Sequence, residues 1–223
     1  PNYLHDSHIR SSLKWGANVI CEKPIVLNPW NLESLFDLEK KYRKKIYTIL
    51  QLRWHESIIN LKKKIEKNSN KIYDVDLTYI TARGNWYYTS WKADENKSGG
   101  IISNIGIHFF DILLWIFGDV IESKLHLYSH DRASGYLITK NARIRWFMSI
   151  NSSTIPKEFS KNKTYRSIKI DGEELLFSKY FTELHTLSYK EILKGNGFGL
   201  KESYPSIKLV HKLRNSKISA LKN

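Results

Sequence analysis

Glu22, Lys23 and Pro24 follow an apolar stretch, residues 18–21, that reads as a short strand after a helix stopped by Gly16. Ligands in open α/β sheets bind in the crevice at the carboxyl ends of the strands. The tripeptide therefore brings a carboxylate and an amine to such a crevice. Burial of Lys23 there would lower its pKa into the range of a general base; the alternative is a surface lysine ahead of a proline-started turn. Far downstream, Asn104 and His108 stand four residues apart, on one face of a helix. Asp111, three residues further on, is placed to orient the imidazole. Gly99-Gly100 just before this helix is expected to bare backbone N–H groups toward a ligand. Alone, His108 would read as a satisfied core histidine. Beside Lys23 in a cleft it makes a proton-transfer pair, and that points to an enzyme.

A second constellation is the loop over residues 83–92, which carries Arg83, Trp86, Tyr87, Tyr88, Ser90, Trp91 and Lys92. Arginine takes phosphate or carboxylate bidentately, and aromatic rings stack on a base or cover a sugar face. The competing reading is a packing loop at a subunit contact. His5 and His8 have no cysteine or carboxylate cluster to complete a metal site, so no metal is expected. A strained Gly-x-Ser-x-Gly turn is absent, which disfavours a serine nucleophile.

The elements that must position these groups fall into two patterns. Helix, strand, helix and strand at residues 6–15, 19–21, from 28, and 46–52 fit the second half of a doubly wound dinucleotide domain. Asn28-Pro29 starts its second helix, whose apolar stripe is Leu32, Leu35, Phe36, Leu38 and Tyr42. After His55 the character changes. A helix at 57–66 leads to an alternating strand at 72–81, a helix at 103–117 ended by Gly118, and strands at 122–129, 135–139 and 142–151. Strands at 166–170 and 173–177 flank the hairpin turn Asp171-Gly172, and helices at 181–194 and 203–215 close the chain. Residues 152–163 read as the most mobile loop. The fold class is α/β plus α+β: the carboxyl-terminal half of a Rossmann-type domain (residues 1–54), then an α+β domain with a mostly antiparallel open sheet (residues 55–223). The last helix is expected to pack back on the first domain.

Composition sets bounds on partners. The 223 residues are 41% hydrophobic and 13% aromatic, enough for a core. Thirty-six basic and 22 acidic residues give a net charge of +14, which favours anionic partners. The lysines are spread over helix faces apart from Lys62-Lys63-Lys64, so solvated faces are preferred to a nucleic-acid footprint, and a non-catalytic polyanion-binding module is the third reading. Cys21 is the only cysteine, so no internal disulfide forms and a cytoplasmic setting is the default. No uninterrupted apolar run reaches membrane-spanning length, since Asn104, His108 and Asp111 break residues 101–117.

Glu22-Lys23-Pro24 and the Gly99-Gly100 to Asp111 segment resemble the glucose–fructose oxidoreductase/inositol dehydrogenase/rhizopine catabolism superfamily. Residues 1–5, 50–53, 83–87, 90–92, 104–111 and 196–199 are further similar to its UDP-N-acetylglucosaminuronate 3-dehydrogenases of surface-polysaccharide synthesis. The resemblance implies NAD as cofactor and a UDP-sugar substrate oxidised at C3. The open antiparallel sheet face needs a cover, and a homo-oligomer, dimer or tetramer, is the easiest one; from charge distribution and apolar runs, neither nucleic acid nor membrane is expected as partner. It implies Lys23 and His108 as the catalytic pair. Asn2, His5 and Glu22 would line the NAD site with Lys23, and Arg83, Tyr87, Ser90 and Asn104 would contact the nucleotide sugar. A sibling dehydrogenase of a free sugar or polyol is the second reading, disfavoured because a polyol needs neither a phosphate clamp nor a uracil platform. Many superfamily members carry Asp where this chain has Asn104. The Gly-x-Gly-x-x-Gly turn that binds pyrophosphate is not in this sequence. The chain opens in mid-pattern at Pro1, so it reads as lacking on the order of 70–90 upstream residues and as a poor NAD binder by itself.

Overall fold

The computed structural model describes residues 1–175 and 183–219. Helix α1 (His5–Lys14) buries Ile9 and Leu13, one turn apart, and Gly16 reverses the chain at φ +80°. Strand β1 (Val19–Cys21) leads to α2 (Pro29–Tyr42), with Pro29 in its first turn and Leu32 and Leu35 buried. Strand β2 (Ile46–Thr48) lies parallel to β1, Val19 opposite Ile46 and Cys21 opposite Thr48. The sequence pattern carries β2 on to residue 52, but the strand stops at Thr48. The Thr48 N–H donates to the Phe198 carbonyl at 2.8 Å, and the chain then tightens into a 3₁₀ turn at Gln51–Trp54.

Helix α3 (Glu56–Lys67) turns Ile58, Leu61 and Ile65 inward, at the spacing of one helix face. Strand β3 (Tyr73–Thr81) buries Val75 and Leu77 and exposes Asp74. The aromatic loop is partly helical, as α4 (Asn85–Tyr88), and α5 (Glu95–Ser98) follows. A π turn (Ile102–Gly106) then feeds α6 (Ile107–Phe117) where the sequence predicts plain α-helix. The helical stretch Glu95–Phe117 is 23 residues long and apolar enough to cross a membrane by length and composition. Asn104, His108 and Asp111, which break the apolar run in the sequence, do not lower its mean hydropathy enough to exclude it. Of its most apolar window 83% is buried inside the protein, so this surface is used as core.

Strands β4 (Val120–Tyr128), β5 (Arg132–Thr139), β6 (Ala142–Ser149), β7 (Thr164–Ile170) and β8 (Glu173–Glu174) complete a six-stranded sheet in the order β4-β5-β6-β3-β7-β8. Only β3 and β6 run parallel; the other four pairings are antiparallel. The β7–β8 turn holds Asp171 at φ 51° and Gly172 at φ 86°, the left-handed pair that an Asp-Gly hairpin requires. The expected extension of β8 to Phe177 and the helix start at Phe181 lie outside the described residues. Segment 152–163 carries two short 3₁₀ turns. Helices α7 (Leu184–Leu193) and α8 (Leu200–Arg214) close the fold. The sequence puts the start of α8 at 203, but it begins three residues earlier because Glu202 reaches back to the Gly199 N–H at 2.8 Å.

One sheet face packs under the helices, with Phe110 edge-on to Trp146 at 5.2 Å and Phe117 against Tyr73 at 6.1 Å. Helix α8 also fastens to the first elements of the chain: Ser203 to Thr48 at 2.8 Å, Tyr204 to Glu33 at 2.7 Å, and Arg214 to the Leu27 carbonyl at 3.1 Å. Helix α8 thereby holds the β1–β2 unit against α6 and the π turn that precedes it.

Candidate active site

Lys23 leaves the carboxyl end of β1 and donates from Nζ to the Asn104 carbonyl at 3.0 Å. That carbonyl belongs to the π turn, whose wider hydrogen-bond spacing displaces backbone groups from the α-helical path. Burial pulls the Lys23 amine from 10.5 down to about 8; Glu22 opposes the shift, and Lys92 and Arg83 add to it. His108 is half-buried one turn further on. Burial, reinforced by the charges of Lys23, His185 and Arg166, holds its imidazole well below the usual value. The pair is thus an amine poised near neutrality beside an uncharged imidazole.

The Asn104 side chain joins two other groups. Its Nδ2 donates to the Tyr87 hydroxyl at 3.2 Å, and its Oδ1 accepts from Asn2 Nδ2 at 3.4 Å. Asn2 Nδ2 also donates to the Ser98 carbonyl at 2.9 Å. Burial pushes the Tyr87 phenol up, so it stays a neutral donor. Asn2, Lys23, Tyr87, Asn104 and His108 therefore meet in one place. His5 donates from Nδ1 to the Pro24 carbonyl at 2.8 Å and so braces the turn after Lys23. Glu22 faces His185 of α7 at 3.4 Å. Arg83 is exposed at the rim, near enough to act electrostatically on Lys23 and Tyr87. Ser90 is engaged within its own loop: its hydroxyl donates to the Tyr87 carbonyl at 2.8 Å and accepts from the Lys92 N–H at 3.3 Å.

Two sequence expectations are corrected. Asp111 does not orient His108. Its carboxylate receives both Nε and Nη2 of Arg53 at 2.8 Å, and Arg53 also donates to the Glu202 carbonyl at 2.9 Å. Three residues along a helix turned Asp111 toward the Arg53 guanidinium, which lies over the rings of Trp115 and Phe198 at 5.4 and 5.0 Å. Gly99 and Gly100 do not form an anion cradle. They sit at φ +80° and +68°, and the Gly100 N–H donates to Ser98 Oγ at 2.9 Å. A Cβ at Gly99 would stand 2.6 Å from the Ser103 Cβ, and one at Gly100 would collide with the Tyr128 hydroxyl. These glycines permit a tight reversal and close packing.

Sequence reasoning missed Arg166 and His185 beside the site. Arg166 of β7 lies opposite Tyr79, over its ring at 5.6 Å, and Tyr79 packs on Phe109 beside His108. His185 arrives from α7, and Lys92 rides over Trp86 at 5.0 Å and Trp91 at 5.8 Å. Only the strand register and the tertiary fold bring Arg166 and His185 here, whereas Lys92 belongs to the aromatic loop that the sequence marks out. Lys23, Arg83, Lys92 and Arg166 against one carboxylate, Glu22, make a strongly anion-attracting crevice. Its donor set fits the nicotinamide–ribose half of NAD: the Lys23 amine suits ribose hydroxyls, and Gln51, just beyond β2, keeps a buried Oε1 with no partner. Among the described residues no group of three or more His, Cys, Asp or Glu could hold a metal ion. Burial pushes the Cys21 thiol up to about 12, so it is unreactive. A groove of about 620 Å³ beside Arg53, Trp115 and Phe198 holds none of these residues.

Residues 62–174 match the oxidoreductase family's C-terminal alpha/beta domain (GFO_IDH_MocA_C), and residues 1–49 match its NAD-binding Rossmann fold (GFO_IDH_MocA). The fold pairs part of an NAD-binding Rossmann unit with a C-terminal alpha/beta domain, and the chain belongs to the Gfo/Idh/MocA oxidoreductase family. It is 30% identical over 127 residues to an uncharacterized oxidoreductase of Streptococcus pneumoniae, covering 55% of this chain and 34% of that one. It is 25% identical over 135 residues to the D-glucoside 3-dehydrogenase of Escherichia coli, covering 59 and 38%. The chain thus spans well under half the length of these curated relatives. Among solved structures it is similar to the WlbA (WbpB) dehydrogenase of Thermus thermophilus in complex with NAD and α-ketoglutarate: TM-score 0.96, 45% identity, all of this chain and 72% of that one. The same dehydrogenase in complex with NAD and UDP-GlcNAcA gives 0.94, 44% identity and the same coverage. The WlbA dehydrogenase of Bordetella pertussis, at 20% identity and TM-score 0.79 over 96% of this chain and 75% of that one, shares the fold.

Proposed function

We propose that this chain carries the catalytic centre of an NAD-dependent dehydrogenase that oxidises the C3 hydroxyl of a UDP-N-acetyl-hexosaminuronate, in surface-polysaccharide synthesis in the cytoplasm. The observation that carries this reading is the Lys23–His108 pair in an anion-attracting crevice, on a chain alike throughout its length to a dehydrogenase seen with NAD and UDP-GlcNAcA. Residues 1–54 supply the cofactor side and residues 55–223 the sugar side.

The chemistry that NAD supplies when bound is acceptance of a hydride. Lys23, about 8 in pKa, takes the proton from the C3 hydroxyl as the C3–H electron pair departs and the C=O bond forms. His108 stays neutral and hydrogen-bonds the same oxygen. Tyr87 and Asn104 orient the sugar, while Arg83, Lys92 and Arg166 offset the charges of diphosphate and carboxylate. Glu22, Asn2 and His5 support the cofactor side, His5 through the turn it braces. Ser90 supports the sugar side by fixing the loop that carries Tyr87 and Lys92. The α-ketoglutarate seen with the Thermus relative is a dianion, a charge that the same cationic walls suit. The outer face of the six-stranded sheet is read as the contact of a homo-oligomer.

The test is nicotinamide fluorescence at enzyme-stoichiometric concentration in the full-length protein, with the upstream coding region restored, offered NAD and UDP-N-acetylglucosaminuronate, UDP-N-acetylglucosamine or myo-inositol. Signal with the uronate alone is the expected result. Signal with inositol would move the protein to the polyol dehydrogenases, and no signal with any would overturn the reading.

A further inference from the structure

A chain of amide hydrogen bonds fixes the direction of one proton in the site. The Ser98 carbonyl can only accept, so the Asn2 group 2.9 Å away is its NH₂. The same Nδ2 stands 3.4 Å from the Asn104 side chain, which must therefore present its oxygen to Asn2. The Asn104 NH₂ is left facing the Tyr87 hydroxyl at 3.2 Å. An amide NH₂ has no lone pair to offer. The Tyr87 oxygen is consequently the acceptor in this contact, and its own proton must point elsewhere. Tyr87 is only 3% exposed. Lys23 is bonded to the backbone carbonyl of the same Asn104 at 3.0 Å.

We propose that Asn104 is a positioning residue that aims the Tyr87 hydroxyl proton into the site, making Tyr87 a dedicated hydrogen-bond donor to a substrate oxygen that bears no proton: a carboxylate, carbonyl or phosphate oxygen. This rests on the sugar-nucleotide reading above and adds a polarity to it. A carboxylate at position 104 would do the reverse: it would accept the Tyr87 proton and turn it away from the ligand. The titratable and polar groups facing Tyr87 are Arg83, Tyr88, Tyr128 and Asn104. Among the described residues the one hydrogen-bond partner of the Tyr87 hydroxyl is Asn104, and that group donates to it.

Two experiments test this. The first needs no substrate. In protein labelled with [¹³Cζ]tyrosine, and with Tyr87→Phe to assign the signal, the Tyr87 titration is followed by NMR in wild type and Asn104→Leu. If the amide donates to the phenol oxygen it stabilises the phenolate, so its loss moves the titration up. A downward move, or none, overturns the proposal. The second is calorimetric binding without NAD of UDP-N-acetylglucosaminuronate, UDP-N-acetylglucosamine and UDP. Tyr87→Phe and Asn104→Asp should each weaken binding roughly 10–100-fold, and the double variant no more than Tyr87→Phe alone. Loss confined to the uronate identifies the carboxylate as acceptor. Loss shared by both sugars identifies the acyl carbonyl, and loss extending to UDP a phosphate. Unchanged binding in Tyr87→Phe overturns the proposal, as does an additive double variant. If wild type binds none of the three, the sugar-nucleotide reading fails, while the NMR result still decides the direction of the proton.

Discussion

Lys23 is the stronger proton acceptor of the central pair. Its amine titrates near 8 because burial disfavours the ammonium form, whereas His108 is held so low that it is neutral but weakly basic. A base works only when unprotonated, so kcat/KM should climb as pH rises through about 8 and level off above it. A profile that falls above pH 8 would make the Lys23 ammonium the required form and pass the base role to His108. Lys23→Met should lose this limb along with about 10²–10⁴-fold in kcat. His108→Asn should cost activity yet retain the limb. Lys23 and Asn104 were legible in the sequence because a strand end and a helical spacing are local signals. Asp111 misled for the same reason: a three-residue step fits a His108 partner as well as an Arg53 partner, and only the fold chooses. Arg166 carries no local mark, since it reaches His108 by strand pairing from the far end of the chain.

Between elements, the buried Arg53–Asp111 pair ties the turn after β2 to α6 and, through the Glu202 carbonyl, to α8. Removing one partner leaves an uncompensated buried charge, so Asp111→Ala should lose about 3–5 kcal/mol in denaturant unfolding. The pH limb assigned to Lys23 should persist in whatever fraction stays folded. The β4–β5 turn offers a second test. The guanidinium of Arg132 beside Asp131, with Asn151 and Ser129, holds that carboxyl well below the usual range. A depressed carboxyl contributes stability that is complete above its unfolded value near 4 and is lost as pH falls toward the folded one. Asp131→Ala should cost about 2–4 kcal/mol at pH 7 and flatten the loss of stability between pH 4 and 2, measured by thermal melts. The helices α1, α2 and α3 and the Asp171-Gly172 hairpin were readable because periodicity and turn chemistry are written locally. The π turn was not: no local pattern marks it, and it ends at Gly106, packed so closely that a Cβ there would stand 2.7 Å from the Met148 sulfur. The early end of β2 depends likewise on residue 198, distant in sequence.

Across the whole molecule, the charge of +14 lies largely away from the helical core, as with Lys63, Lys64 and Lys67 on the exposed face of α3. The outer face of the six-stranded sheet is different. Asp74–Arg143 and Asp76–Arg145 form two bidentate pairs across β3 and β6 that neutralise the charge there. Half-exposed Tyr136, Ile138 and Phe147 stand among them, in rows set by the register of β5 with β6. Solvent-exposed ion pairs contribute little stability by themselves, so these serve better as a register for a second surface than as a source of affinity. A two-fold pairing of this face with a second copy would cover the apolar rows and satisfy the geometry of a closed oligomer. Light scattering at micromolar concentration should therefore find dimers or tetramers, little affected by salt because the buried rows are apolar. Phe147→Glu puts an unpaired charge at the centre of that face. It should yield monomers with unchanged circular dichroism, since the side chain lies outside the core. A wild-type protein that stays monomeric, or a Phe147→Glu variant that keeps its assembly, would remove the sheet face as the contact and leave the loop of Trp86 and Trp91, with Trp86 about half exposed, as the surface next in line.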